Sequence, residues 1–358
     1  MSPSPCQRSS ELTNASLFQV APMAQVTNPD FRYLLRLITK RAKLWTSMTG
    51  PRSLESFCKP ESYHDSLTFN STDHPIVFQL GGSDPSKLAE AATIVERYGY
   101  DEVNLNVGCP SCSAAKEGAF GVALMKRKDL VRDIVHAVTR AVQIPVTVKT
   151  RLGVDDFDSP EFTSSFVRTV AQGGCKHFVI HARKARLSLS PVQNRILPPL
   201  DYTRVIDLCL EFPNLDFTLN GGIVDISTTR AILQFPGGVR PGESDDLAVA
   251  AWGWPSNRGD LPALSNMKGV MVGRGARDNP VMLFDVDNAI FGDACSSKTR
   301  RSVLQEYCAY LEEAHPSDGK SLGMTTINNA VHPTAALFAG REGVWAYKQV
   351  LQKLVHDR

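Results

Sequence analysis

Along this chain, short runs rich in β-branched and other apolar residues alternate with longer stretches in which apolar residues recur every three or four positions. The runs are Leu17–Ala21, Leu44–Met48, Ile76–Leu80, Val103–Val107, Val146–Thr150, His177–His181, Phe217–Asn220 and Gly269–Gly273. Between them lie amphipathic patterns such as Asp84–Tyr98, with Leu88, Ala91, Ile94 and Val95 on one stripe, and Leu130–Val142 with similar spacing. A strand period that switches repeatedly to a helix period predicts an α/β fold with a parallel sheet wrapped by helices. Eight repeats favour a closed (β/α)8 TIM barrel over an open doubly wound sheet. One interval, Phe235–Met267, breaks the rhythm with a Pro-Gly-Gly turn, paired aspartates at 245 and 246, Trp252 and Trp254, and reads as an irregular insertion. After Phe291-Gly292 the strands stop, and helical periodicity runs from about Thr299 onward. The expected organisation is a disordered polar tail over 1–16, a barrel over 17–292 and a small C-terminal all-helical domain over 299–358, whose last helix carries Arg341, Lys348 and Lys353.

Composition narrows the class. A chain of 358 residues with 42% hydrophobic content can fill one large core and an appendage. No apolar run approaches the roughly 20 residues that cross a bilayer, and the first residues hold no apolar signal core, so no membrane association or secretion is expected. The leader carries one basic residue, Arg8, fewer than transit peptides use, which favours cytoplasmic residence over organellar import. Eight cysteines at irregular spacing read as reduced thiols rather than a disulfide framework. Cys109 and Cys112 form a C-x-x-C pair, but no second pair or histidine set follows at ligand spacing, and no metal site is expected. The net charge of +2 neither requires nor excludes a nucleic-acid partner. Arg183, Lys184, Arg186 and Arg195 gather after one strand, as a solvated basic loop or as a phosphate-binding one.

In a parallel α/β fold the carboxyl ends of the strands face the ligand. Those ends carry Pro22-Met23, Gln79, Asn106 followed by Cys109, Lys149, His181, Asn220-Gly221-Gly222 and Gly273-Arg274. The run Asn104-Leu105-Asn106-Val107-Gly108-Cys109-Pro110-Ser111 places a cysteine just beyond a strand on a turn set by Gly108 and Pro110, where a catalytic thiol would sit. A ring of donors and backbone-exposing glycines suits a planar, anionic ligand, with the last glycines free to hold a phosphate and Arg274 adding charge. A lysine ammonium at position 149 could stabilise the charge that a flavin ring gains when it accepts a hydride. The same lysine could form a Schiff base, as in an aldolase, but that reading leaves Cys109, Gln79 and His181 without roles.

Eight blocks, in order, resemble the tRNA-dihydrouridine synthase family, in particular its DusA-like branch. They are Ala21-Pro22-Met23, Gln79-Leu80-Gly81-Gly82-Ser83, the Asn104–Ser111 run, Val148-Lys149-Thr150-Arg151, His181-Ala182-Arg183-Lys184, Pro198-Pro199-Leu200-Asp201-Tyr202, Asn220-Gly221-Gly222 and Val272-Gly273-Arg274. The resemblance covers about residues 17–291, with a weaker echo from His332-Pro333 to Val350. It implies an FMN enzyme that reduces the C5–C6 bond of a uridine in the tRNA D-loop, in the position-20 region, with NADPH recharging the flavin. It also implies that Cys109 donates the proton to C5, as an ordinary thiol of pKa about 8.5 can at neutral pH. Pro22, Met23, Ala24, Gln79, Lys149, His181, Asn220, Gly221, Gly222, Gly273 and Arg274 match FMN contacts. Asn106 and Arg183 match contacts to the extruded uracil. Phosphates of the tRNA would meet Arg195 and the helical C-terminal domain. No stable protein partner is implied.

The chain departs from the family in four places. Thr46-Ser47-Met48 has serine where relatives carry glutamate, an expected weakening of a support of the site. The loop after Ser111 lacks the basic residue that relatives place there, for which Lys116 is a substitute. Val192 stands at an expected basic position, and the 235–267 interval has no counterpart. Two other readings remain open at this point: another FMN barrel acting on a small pyrimidine or enone, and a non-catalytic RNA-binding relative.

Overall fold

The computed structural model describes residues 16–55, 67–111, 120–234, 264–315, 330–331 and 333–356. Eight strands form one parallel sheet: β1 Phe18–Val20, β2 Leu44–Trp45, β3 Ile76–Leu80, β4 Glu102–Val107, β5 Val146–Arg151, β6 His177–His181, β7 Asp216–Asn220 and β8 Met267–Val272. They are ordered β1-β8-β7-β6-β5-β4-β3-β2. A parallel bridge between Gln19 and Lys43, with Val20 N–H donating to Lys43 O at 2.9 Å and Lys43 N–H to Phe18 O at 3.0 Å, joins β1 to β2 and closes the barrel. The (β/α)8 expectation is thus met, with β3 and β6 ending where the sequence places them and the other strand limits differing by at most three residues.

Capping and apolar periodicity account for the two longest helices of the barrel. The helix Pro85–Arg97 starts where Asp84 accepts the N–H groups of Ser86 and Lys87, with proline at its first position, and the helix Lys128–Ala141 buries Val131, Ile134, Val135 and Val138 against the barrel. Apolar residues on the outward faces of the strands pack under these helices as the main core, while Ala21, Trp45, Val77, Val179 and Met271 form a separate layer inside the barrel. Alternate strand residues therefore divide between two cores, as barrel geometry requires.

Beyond the barrel lie the helices Arg300–Ala314, capped by Thr299, and Val344–His356. Tyr310 of the first stacks on Tyr33 at 3.8 Å, and its hydroxyl lies 3.0 Å from an Asp30 oxygen, tying the helical region to the barrel's Pro29–Ile38 helix. The tail through residue 15, and the 235–267 interval up to residue 263, lie outside the described residues. No helix among the described residues is long and apolar enough to cross a membrane.

Candidate active site

Period-2 alternation sends Val103, Leu105 and Val107 of β4 into the outer core, leaving Glu102, Asn104 and Asn106 on the inner face. Asn106 sits at the strand's exit, and its Oδ1 accepts the N–H groups of Gly108 at 3.1 Å and Cys109 at 2.9 Å. From β5, Arg151 Nε donates to Gly108 O at 2.9 Å. The Cys109 carbonyl accepts Val122 N–H at 3.0 Å, an approach that requires glycine at 121, where φ is +79° and a Cβ would lie 2.5 Å from that oxygen. The turn bearing the half-buried thiol is therefore fastened from three sides.

Cations crowd beside it. Lys149 Nζ donates to Asn220 Oδ1 at 2.9 Å, and Asn220 Nδ2 donates to Met271 O at 2.8 Å. Burial, reinforced by Arg151 and opposed by Cys109, brings the half-buried Lys149 ammonium down to about 7. Burial and the neighbouring charges of Arg151, Lys149, Arg183 and Arg274 hold the His181 imidazole well below its ordinary value, so the ring is neutral at pH 7. Arg183 donates through Nη1 to Pro198 O and, at 3.5 Å, to Ile196 O, and Arg274 Nη2 donates to Arg195 O at 3.2 Å. The Nε atoms of Arg183 and Arg195 are buried without a protein partner. Among the described residues, none of Lys149, Arg151, Arg183, Arg195 and Arg274 pairs with a carboxylate. Cations in that state, Arg151 buried and the others half-buried, are costly unless an anion joins them.

Backbone completes the rim. Gly221 and Gly222 have φ of +116° and +74°, and side chains there would strike His181 Cδ2 at 2.7 Å and Leu200 Cδ1 at 2.4 Å. Tyr202 donates its hydroxyl to Gly221 O at 2.5 Å. Across the rim, a Cβ on Gly273 would stand 3.5 Å from Ala21 Cβ and 4.0 Å from Met23 Sδ, bringing the β1 and β8 exits together. The Pro22-Met23-Ala24 turn rests on Met23 O, which accepts Val26 N–H and Thr27 N–H, each at 3.0 Å, and the Ser47 hydroxyl at 3.1 Å. Ser47, expected to weaken a support, is itself a tie to this turn.

The structure thus brings to one end of the barrel every site residue read from the sequence. Gln79 joins Asn106 directly, with Asn106 Nδ2 donating to Gln79 Oε1 at 2.9 Å. Lys184 of the basic segment is instead paired with Asp158, and Arg186 is exposed. Sequence reasoning missed Arg151, whose Nη1 also donates to Lys184 O at 3.3 Å and Asn194 O at 3.2 Å, binding the thiol's turn to the arginine-bearing loop. It missed Asn104, Glu102 and Thr147 as well, although polar residues at every second position of β4 and β5 signal them. Among the described residues no cluster of metal-ligating side chains occurs. Such a mouth can bind an anion, offer a proton from sulfur and place positive charge beside a developing negative one.

A family model described as dihydrouridine synthase matches residues 19–239. A tRNA-dihydrouridine(20/20a) synthase of Shewanella oneidensis is 38% identical over 340 residues, covering 95% of this chain and 89% of that protein. Its counterpart in Escherichia coli K12 is 39% identical over 341 residues, covering 95% of this chain and 86% of that protein. In fold alone, a solved 2-naphthoyl-CoA reductase resembles the chain with a TM-score of 0.50 at 9% identity, covering 75% of this chain and 49% of that one. Because the family model spans well over half of the sequence and the relatives match almost end to end, the chain belongs to the dihydrouridine synthase family.

Proposed function

We propose that this protein is a flavin-dependent tRNA-dihydrouridine synthase that reduces the C5–C6 bond of a uridine in the tRNA D-loop, in the position-20 region. The observation that carries the reading is a fastened thiol, Cys109, beside carboxylate-free cations at the mouth of a closed barrel. Relatives that match nearly end to end are tRNA-dihydrouridine(20/20a) synthases.

The residues present fit FMN. Its phosphate suits a rim where two arginine Nε atoms lack partners and where Gly221, Gly222 and Gly273 leave backbone open to close approach. Pro22, Met23, Ala24, Gln79, Lys149, His181, Asn220 and Arg274 would hold the rest of the group. When bound, FMN supplies the hydride that goes to C6 of the uracil, and NADPH restores it.

Reducing the double bond also requires a proton at C5 and relief of the negative charge that builds on O4. Cys109 gives that proton from sulfur. Both lone pairs of Asn106 Oδ1 are taken by backbone N–H groups, so toward the base Asn106 offers only its remaining amide hydrogen, a donor suited to a carbonyl oxygen. Arg183 provides a second contact to the base. Lys149 places positive charge near the ring system. Arg195 and the helical region from 299 onward would grip tRNA phosphates while the uridine is turned out of its loop into the mouth.

The test is Cys109→Ala. It should retain flavin and tRNA binding and lose dihydrouridine formation by about 10²–10⁴-fold, the usual worth of a positioned general acid, whereas Cys112→Ala should be nearly silent. Dihydrouridine is measured by mass spectrometry of tRNA from a deletion strain carrying each variant. Full activity in the alanine enzyme overturns the assignment.

A further inference from the structure

A barrel interior is ordinarily layered with branched apolar side chains, yet below the mouth this one carries a line of buried polar groups. Lys43, Gln79, Glu102, Asn104 and Thr147 are 3%, 1%, 4%, 0% and 3% exposed. Near the closed end, Lys43 Nζ donates to Glu102 Oε2 at 2.9 Å and to Ser16 Oγ at 2.9 Å. Thr147 Oγ1 donates to Glu102 Oε1 at 2.6 Å, and Asn104 Nδ2 to Thr147 Oγ1 at 2.9 Å. Gln79 Nε2 donates to Asn104 Oδ1 at 2.9 Å, and Asn106 Nδ2 to Gln79 Oε1 at 2.9 Å. Asn106 Oδ1 then takes the two N–H groups of the thiol's turn.

Every donor in this series points toward the Glu102 carboxylate. Both ends fix that polarity, since backbone N–H groups can only donate and a carboxylate can only accept. Turning any one amide over would set donor against donor on one side and acceptor against acceptor on the other. Hydrogen bonds aligned head to tail polarise one another, and in a low dielectric a misaligned one is expensive. We propose that Glu102, anchored by Lys43, is a positioning residue for Cys109, acting through Thr147, Asn104, Gln79 and Asn106 to hold the thiol's turn in register. The inference rests on the reading of Cys109 as proton donor and adds a residue that touches neither flavin nor base.

The test cuts the chain at Thr147, its first link from the carboxylate. Thr147→Val keeps shape and removes the hydroxyl, and Thr147→Ser restores it. In flavin-free protein carrying Cys112→Ala, site-resolved mass spectrometry follows alkylation of Cys109 by iodoacetamide across pH. The valine protein should alkylate about threefold faster as the turn loosens, and serine should return the wild-type rate. In flavin-loaded protein, uridine reduction in a single turnover should fall roughly tenfold with valine, short of the hundredfold that a 1 Å misplacement costs. Flavin reduction by NADPH should fall less than threefold. If the valine protein does not fold, Thr147→Cys, a weaker donor of similar size, takes its place. Wild-type alkylation and turnover in the valine protein, or a serine protein as impaired as the valine one, overturns the proposal. Cys109→Ala run alongside separates the cases: full activity there refutes the proton-donor reading, while the alkylation series still decides the coupling.

Discussion

Replacing Lys149 with methionine should abolish a pH dependence of stability that the flavin-free protein owes to this one half-buried ammonium. Its value falls from 10.5 to about 7, chiefly through burial. Below about pH 7 both folded and unfolded chains carry the proton, and the folded state bears the full cost of enclosing the charge. As pH rises toward 10.5 the unfolded chain keeps a proton that the folded chain has released, so stability climbs by about 1.36 kcal/mol per pH unit. Between pH 7 and 8.5, with Lys149 half-titrated at the lower limit, the gain integrates to about 1.6 kcal/mol, or about 1 kcal/mol once the partial solvent access of the side chain is allowed for. The window is chosen to isolate this group. His177, lowered to about 4, and His181 complete their effects below pH 7, and the buried thiols of Cys175 and Cys209, raised from 9.0 to about 12, act with opposite sign from about pH 9. Urea unfolding of flavin-free wild type at half-unit steps should show the rise, and Lys149→Met should be flat. Parallel slopes in the two proteins refute the assignment of the shift to this residue.

Two further substitutions probe the rim and the turn. Gly222→Ala should cost the protein its flavin, because its Cβ would lie 2.4 Å from Leu200 Cδ1 and 2.9 Å from Tyr202 Oη at a φ of +74°; wild-type flavin absorbance after purification would count against a cofactor role for this glycine. Arg151→Lys should lower the unfolding free energy of the flavin-free protein by about 2–3 kcal/mol, since an ammonium cannot reproduce the fork that reaches the carbonyls of Gly108, Lys184 and Asn194. Denaturant titration measures this, and a change below about 0.5 kcal/mol contradicts the role given to Arg151.

The strand–helix alternation was legible because each strand obeys a simple rule: its outward residues must be apolar to meet helices. Asp84 before Pro85 marks a helix start as clearly in the sequence as in the structure. The strand exits were legible for the same reason, since a barrel sends them all to one end, and Cys109, Lys149 and Asn220 did meet there. What the sequence hid was pairing across the barrel. Glu102 and Lys43 are far apart in the chain, on β4 and just before β2, which are not neighbours in the sheet, and nothing local to either indicates the other. Arg151 was overlooked because an arginine closing a strand ordinarily reaches solvent, whereas here three carbonyls draw it inward at 3% exposure.

The two ends of the barrel meet the cost of buried charge in opposite ways. Near the closed end the chain supplies its own counter-ion, and the Lys43–Glu102 pair is satisfied by protein alone. At the mouth no carboxylate among the described residues answers Lys149, Arg151, Arg183, Arg195 or Arg274, although acidic residues elsewhere bring the whole chain to a net charge of only +2. Such a split follows if the mouth's counter-charges arrive with ligands: a carboxylate there would stabilise the flavin-free protein and weaken its hold on a phosphate by the same interaction. On the proposed reading, flavin and RNA phosphates would relieve the repulsion among these cations, and binding and folding stability would be coupled through one set of side chains.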